Sequence, residues 1–312
     1  MTNDAMPFVM RAQAAAELRR WDTVAIEARR AIAADPAMPD GHALLAQALN
    51  GKGQNAEALA AAQRGLAIAA ESTWLHRLRA VILLDLGRGS DGLAAVDEAL
   101  RLGADSAAGH AVRAKALDQL NQSHAARIAC RRALELAPDQ AWIHRVRGDI
   151  ELHAGDPRAA ESGYRAALRS SPNDAVALNN LGVALQRQRR HDEAVLAFKA
   201  AVLADPTFVT AKRNTHRVVK NLMRAGTTAA ILIVLAIVRM CTMGSKVTPL
   251  GSSARAGPEV VAGTIILCVV ILAIVIGRLV RRARAWNRAK RLDPELWELF
   301  QKLDRDHRQG RI

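Results

Sequence analysis

The sequence predicts an all-α chain: a helical solenoid of about six helix-turn-helix units followed by a two-helix transmembrane hairpin. Three observations predict it. A period of about 34 residues holds its register six times between roughly Ala5 and Thr207. Half of the residues are hydrophobic but only 3% are aromatic, and a chain dominated by alanine, leucine and arginine favours helix over sheet. Two apolar runs near the C-terminus are each flanked by basic residues.

The period is carried by small residues at fixed slots. One slot reads Ala12, Ala46, Ala80, Ala114, Gly148 and Gly182; another reads Ala31, Gly65, Ala99, Ala133, Ala167 and Ala201. Small side chains let two helices approach closely, and the larger apolar residues between them fill the seam. Pro36, Pro138, Pro172 and Pro206 close four units, because proline lacks an amide donor and disfavours helix at the preceding residue. Gly53, Gly87 and Gly155 fall midway, where a first helix must stop and turn. A unit of this kind cannot bury its apolar face alone, so neighbours must stack.

These residues resemble the tetratricopeptide repeat family. The sixth unit carries the resemblance best, with Leu181-Gly182, Leu185, Ala194, Phe198, Ala201 and Pro206 in the family pattern, while the first unit is degenerate at Ala15. The resemblance covers residues 5–206 and implies a groove, lined by first helices, that binds partner peptides. Mapped onto this chain, the groove slots carry Trp74, Arg77, Lys115, Trp142, Arg145, Asp149 and Asn179. Tryptophans with an arginine three residues on suit an extended, acidic segment with apolar anchors; the competing reading is inter-repeat packing beside a solvated face. The lysine/asparagine clamp by which some family members hold chaperone C-termini is missing, since Val9/Gln13 and Arg77/Val81 occupy its slots.

After the repeats, residues 207–224 read as a basic juxtamembrane helix that caps the solenoid. The segments 225–243 and 260–280 read as transmembrane helices joined by an external loop, 244–259. Val260 to Gly277 is uncharged and long enough for the ~30 Å hydrocarbon core. Ala225 to Val238 is shorter, so the first helix crosses only if Arg239 snorkels to the far headgroups. Gly226 and Ala230 suit close helix packing there. The flanks hold most of the basic residues, and the loop carries only Lys246 and Arg255 against Glu259, which places the repeats and C-terminus in the cytoplasm. Arg281, Arg282, Arg284, Arg288, Lys290 and Arg291 would lie on anionic headgroups. Within the 281–312 tail, an amphipathic helix over 294–305 presents Leu296, Trp297, Leu299, Phe300 and Leu303 on one face. It is expected on the membrane surface rather than against protein.

His42, His76, His110 and His144 recur at the repeat spacing. Successive units stand about 10 Å apart, too far for adjacent histidines to share a metal, so the ladder reads as a polar seam between helices. No cofactor, metal site or catalytic motif is expected: GxxxxGK[ST], HExxH and GxSxG are missing. The formal charge of +14 calls for an anionic partner. Its concentration beside the apolar runs, with few aromatics for base stacking, favours lipid headgroups over nucleic acid. The sequence thus predicts a membrane-anchored scaffold that recruits a cytoplasmic protein or acidic peptide, its alanine- and arginine-rich composition suiting a bacterial inner membrane. The alternatives are a permanent subunit of a larger membrane complex and a nucleic-acid-binding protein at the membrane. Oligomeric state is not set by the sequence.

Overall fold

In the structure, a computed structural model describing residues 4–103, 105–220 and 294–312, the expected helix pairs follow one another along the chain. The pairs are α1 (Met6–Glu17) with α2 (Trp21–Ala34), α3 (Pro39–Gly51) with α4 (Asn55–Ile68), and α5 (Thr73–Asp85) with α6 (Gly89–Leu102). Next come α7 (Ala107–Gln119) with α8 (Ser123–Leu136), α9 (Ala141–His153) with α10 (Pro157–Ser170), and α11 (Ala175–Arg187) with α12 (His191–Ala204). A further helix, α13, covers 209–220, and α14 is Pro294–Arg308. There is no strand among the described residues. The chain divides into two compact units, Met1–Ala184 and Leu185–Ile312.

Every first helix ends the same way. The residue at the turn adopts a left-handed conformation: Arg19 (φ 53°), Gly53 (76°), Gly87 (76°), Asn121 (59°), Gly155 (84°) and Arg189 (63°). The next amide then reaches back to the last turn of the helix, as Arg20 N to Ala15 O (2.9 Å), Gln54 N to Leu49 O (2.9 Å) and Asp156 N to Glu151 O (2.9 Å) show. This closure satisfies a carbonyl that the helix end would otherwise leave open. Glycine reaches that conformation without strain, and asparagine more readily than most residues; Arg19 and Arg189 adopt it against their preference.

The first unit shows why repeats must stack. Its first helices lie side by side, α1 on α3, α3 on α5, α5 on α7 and α7 on α9, each also packed on its own second helix. Leu44, Leu78, Val112 and Val146 share one slot and are buried, whereas Met10, the same slot in α1, is 63% exposed. Within this unit each repeat covers the next, and nothing described covers the first repeat. Within pairs the small slots are filled to contact. A Cβ on Gly148 would stand 2.6 Å from the Tyr164 ring, and one on Gly163 would stand 2.7 Å from the Gly148 backbone nitrogen. Cys130, on α8, is fully enclosed, and burial pushes its thiol up to about 11.

In the second unit, α14 is longer at its C-terminal end than the expected 294–305 and is docked on protein. Phe300 and Leu303 are buried, which corrects the expectation that this apolar face lies on a membrane. The side chains of Leu296 and Trp297 lie outside the described residues, as do the proposed hairpin at 225–280 with Arg239, Gly226 and Ala230, and the basic run from Arg281 to Arg291. No helix among the described residues is long and apolar enough to cross a membrane.

The histidine ladder is a set of turn latches rather than a seam between helices. His42 Nε2 donates to Pro36 O (3.3 Å), His76 Nε2 to Ala70 O (2.8 Å) and His144 Nε2 to Pro138 O (2.7 Å). A carbonyl only accepts, so these rings carry their proton on Nε2. His110 departs from the pattern and meets the Asp105 carboxylate instead.

Candidate functional site

The groove residues named from the sequence separate into two neighbourhoods of the first unit. In the first, Trp74 and Arg77 stand one turn apart on α5 and line a cleft of about 480 Å³. Gln13, Ala16 and Glu17 of α1 and Leu44 and Gln47 of α3 complete its wall. The N-terminus of α5 is capped by Ser72, whose hydroxyl accepts from the Leu75 amide at 3.3 Å, and the three-residue spacing puts Trp74 and Arg77 on the same side of the helix. Trp74 is half-buried and packs against the apolar core beneath it.

Arg77 is half-buried, and burial lowers the pKa of its guanidinium from the ordinary value. It has no ion-pair partner among the described residues. A partly desolvated guanidinium keeps its charge and its planar donors, so it favours an incoming carboxylate. Trp74 and Leu44 offer an apolar wall beside that charge. The glutamine amides at Gln13 and Gln47 can hydrogen-bond an extended backbone through both donor and acceptor atoms. Chemically, the cleft presents one cation at Arg77, one carboxylate at Glu17, an apolar wall and two side-chain amides.

The second neighbourhood is already occupied by the protein's own side chains. Arg145 Nε lies 3.3 Å from Asp174 Oδ2. Asp174 in turn caps α11, accepting from the Val176 and Ala177 amides at 3.0 and 3.1 Å. Asp149 Oδ1 accepts from the Tyr164 hydroxyl (2.8 Å) and from Asn180 Nδ2 (2.9 Å). Burial pushes its carboxyl above the ordinary range, with the Tyr164 hydrogen bond and the Arg145 charge pulling the other way. Asn179 is buried and donates to Asn180 Oδ1 at 3.0 Å. Trp142 packs half-buried against the core of α7, α8 and α9. Lys115 is half-buried, without an ion pair among the described residues. The structure thus joins Trp74 with Arg77, and Arg145 with Asp149, as two arrangements of different character.

The sequence reading did not name Glu17, Leu44 and Gln47, and it named Gln13 only as a slot of the missing clamp. A signal was present, since Gln13 and Gln47 occupy the slot that Lys115 and Asp149 hold in later units. Among the described residues no three His, Cys, Asp or Glu side chains are placed to hold a metal ion.

Paired helices, a shared left-handed turn and a face built from first helices define a tetratricopeptide-repeat solenoid. Residues 77–141 and 145–207 match the tetratricopeptide repeat family. The fold is shared with solved structures at low sequence identity. The Cut9–Hcn1 hetero-tetramer of the APC/C aligns with a TM-score of 0.59 at 14% identity, over 69% of this chain and 42% of that one. A thermophilic TPR protein of Thermus thermophilus gives 0.54 at 20% identity, over 58% and 99%. PilF of Pseudomonas aeruginosa gives 0.50 at 14%, over 68% and 98%. No protein of curated function matches the chain.

Proposed function

We propose that this chain is a membrane-anchored scaffold whose α1–α3–α5 cleft holds an acidic, partly apolar segment of a cytoplasmic protein. The observation that carries the reading is Arg77, a half-buried guanidinium without an ion-pair partner among the described residues, beside Trp74 in an open cleft. Buried charge is costly without a counter-charge, and here the missing counter-charge is the ligand's. Anchoring rests on the sequence between 221 and 293: two apolar runs, basic flanks and a loop poor in charge. Those flanks put the repeats and C-terminus on the cytoplasmic side, and the alanine- and arginine-rich composition suits a bacterial inner membrane.

The test is a photo-crosslinker placed at Gln47, on the cleft wall, in cells. Mass spectrometry should recover a recurrent partner peptide containing aspartate or glutamate, and Trp74→Ala with Arg77→Ala should abolish its recovery. Unchanged recovery in that double variant moves binding to another surface. A stoichiometric complex that survives mild detergent without the cleft residues would favour the permanent-subunit alternative.

A further inference from the structure

The repeat phase does not end at Pro206. Continued by one more period, the small-residue slot of Ala12, Ala46, Ala80, Ala114, Gly148 and Gly182 falls on His216 in α13. In the fifth helix pair this slot meets the large residue of the second helix, Gly148 against Tyr164. The sixth pair has Phe198 at the same large-residue slot. No described second helix directly follows α13, yet its slot is filled. The His216 ring stacks on Phe300 of α14, with centroids 5.8 Å apart and planes 10° from parallel.

The rest of α14 agrees with a second helix. Phe300 and Leu303 are buried at a spacing of three, as Tyr164 and Ala167 are in α10 and Phe198 and Ala201 in α12. At 15 residues α14 is one residue longer than α10 and α12, at 14 each. Polar contacts hold it in place. His216 Nε2 lies 3.0 Å from Asp304 Oδ1, Arg308 pairs with Asp304 at 2.6 Å, and the His307 ring lies 4.5 Å from that of His216. Lys199 of α12, almost completely enclosed, reaches Glu295 at 3.2 Å. The hydrogen bond from His216 and the Arg308 charge hold the Asp304 carboxyl below its ordinary range.

We propose that α13 and α14 are the two halves of a seventh helix pair, and that residues 221–293 are inserted where its turn would be. Lys220, the last described residue of α13, and Pro294, the first residue of α14, then lie on the turn side of the pair. This has a topological consequence, which rests on the anchoring reading above. A segment whose two ends are clasped together on one side of a bilayer must cross it an even number of times.

The test uses the full-length protein in detergent micelles and hydrogen exchange followed by mass spectrometry. Substituting Phe300→Ala with Leu303→Ala should accelerate exchange across 209–220 about tenfold or more, leaving α7–α10 as in the parent chain. Unaltered protection of 209–220 overturns the seventh pair. A second variant replaces 221–293 with Lys-Gly-Gln, the turn of the second pair. If it folds with 209–220 and 294–308 both protected, the seventh pair stands; if it folds with 294–308 exchanging freely, the pair is overturned. If it does not fold, the point variants decide. Sedimentation with membranes separates the two readings. The excised chain should stay in the supernatant, and if it still sediments with its pair protected, the anchoring reading fails while the seventh pair survives.

Discussion

Trp74/Arg77 and Trp142/Arg145 occupy the same two slots of repeats two periods apart, yet only the first pair lines an open cleft. Near α9 the arginine faces Asp174, the slot that holds Gln13 and Gln47 elsewhere holds Asp149, and Tyr164 and Asn180 close over it. Near α5 the neighbouring slots supply amides and an apolar wall, and Arg77 has no ion pair among the described residues. Copying a residue pair along a repeat array does not copy a site. What decides is whether the flanking repeats supply a counter-charge, as they do at Arg145, or supply none among the described residues, as at Arg77.

The largest break in that comparison should come from binding. Arg77→Glu should weaken the peptide captured at Gln47 by about 100-fold or more, roughly the cost of reversing a charge-assisted contact. Arg145→Glu should change it by less than about threefold in the same titration, because Arg145 is already neutralised. Equal losses would show that both pairs serve one ligand.

Next in size is packing around the closed pair. Gly163→Ala drives a methyl into the Gly148 backbone, and overpacking of this kind costs about 1–3 kcal/mol. Thermal melts should show it clearly. Tyr164→Phe should cost about 1–3 kcal/mol, because it strips one of two donors from the buried Asp149 oxygen. Neither substitution should alter capture at the Trp74 cleft.

A smaller effect separates the regions by pH. In the N-terminal repeats, Glu27 takes hydrogen bonds from Arg11 and Arg30, and its carboxyl is held below the ordinary range, chiefly by the Arg11 hydrogen bond. Its stabilisation is full above the unfolded carboxylate pKa and is lost as pH falls through the lower folded value. Asp149 has the opposite sign. Burial raises its pKa, so the ionised form is penalised above the folded value and the penalty disappears on acidification. Glu27→Gln should flatten the loss of stability below about pH 4.5. Asp149→Asn should differ from the parent most at neutral pH, and the difference should shrink as the pH is lowered. Identical pH profiles for the two variants would contradict this division.

The smallest effect lies at the shared turn. Gly53→Ala should cost about 1 kcal/mol, since only its left-handed φ opposes a side chain and the space around it is open. Arg19→Gly and Arg189→Gly should gain about 0.5 kcal/mol each by relieving the same strain, net of glycine's greater chain entropy.

The repeat period and its turns were legible because each depends on residues close in sequence: the small slots, the closing prolines, and glycine at three of the six left-handed positions. Arg19 and Arg189 hid two of the other three turns, because the fold imposes the conformation there against residue preference. Trp74 and Arg77 were legible as a pair. The difference at Arg145 and Asp149 was not, because it depends on Tyr164, Asp174 and Asn180, partners set by stacking rather than by neighbouring sequence. The docking of α14 was missed for the same reason. Its apolar stripe suits lipid and protein equally, and only the burial of Phe300 and Leu303 in the folded chain told them apart.

Cys130 offers a clock for the repeat array. Its thiol is sealed inside α8 and held near pKa 11, so at neutral pH a thiol reagent reacts only during the moments when that helix comes away. Read as a rate at that one residue, alkylation measures how often the middle repeats open, and whether an occupied Trp74 cleft closes them from a distance.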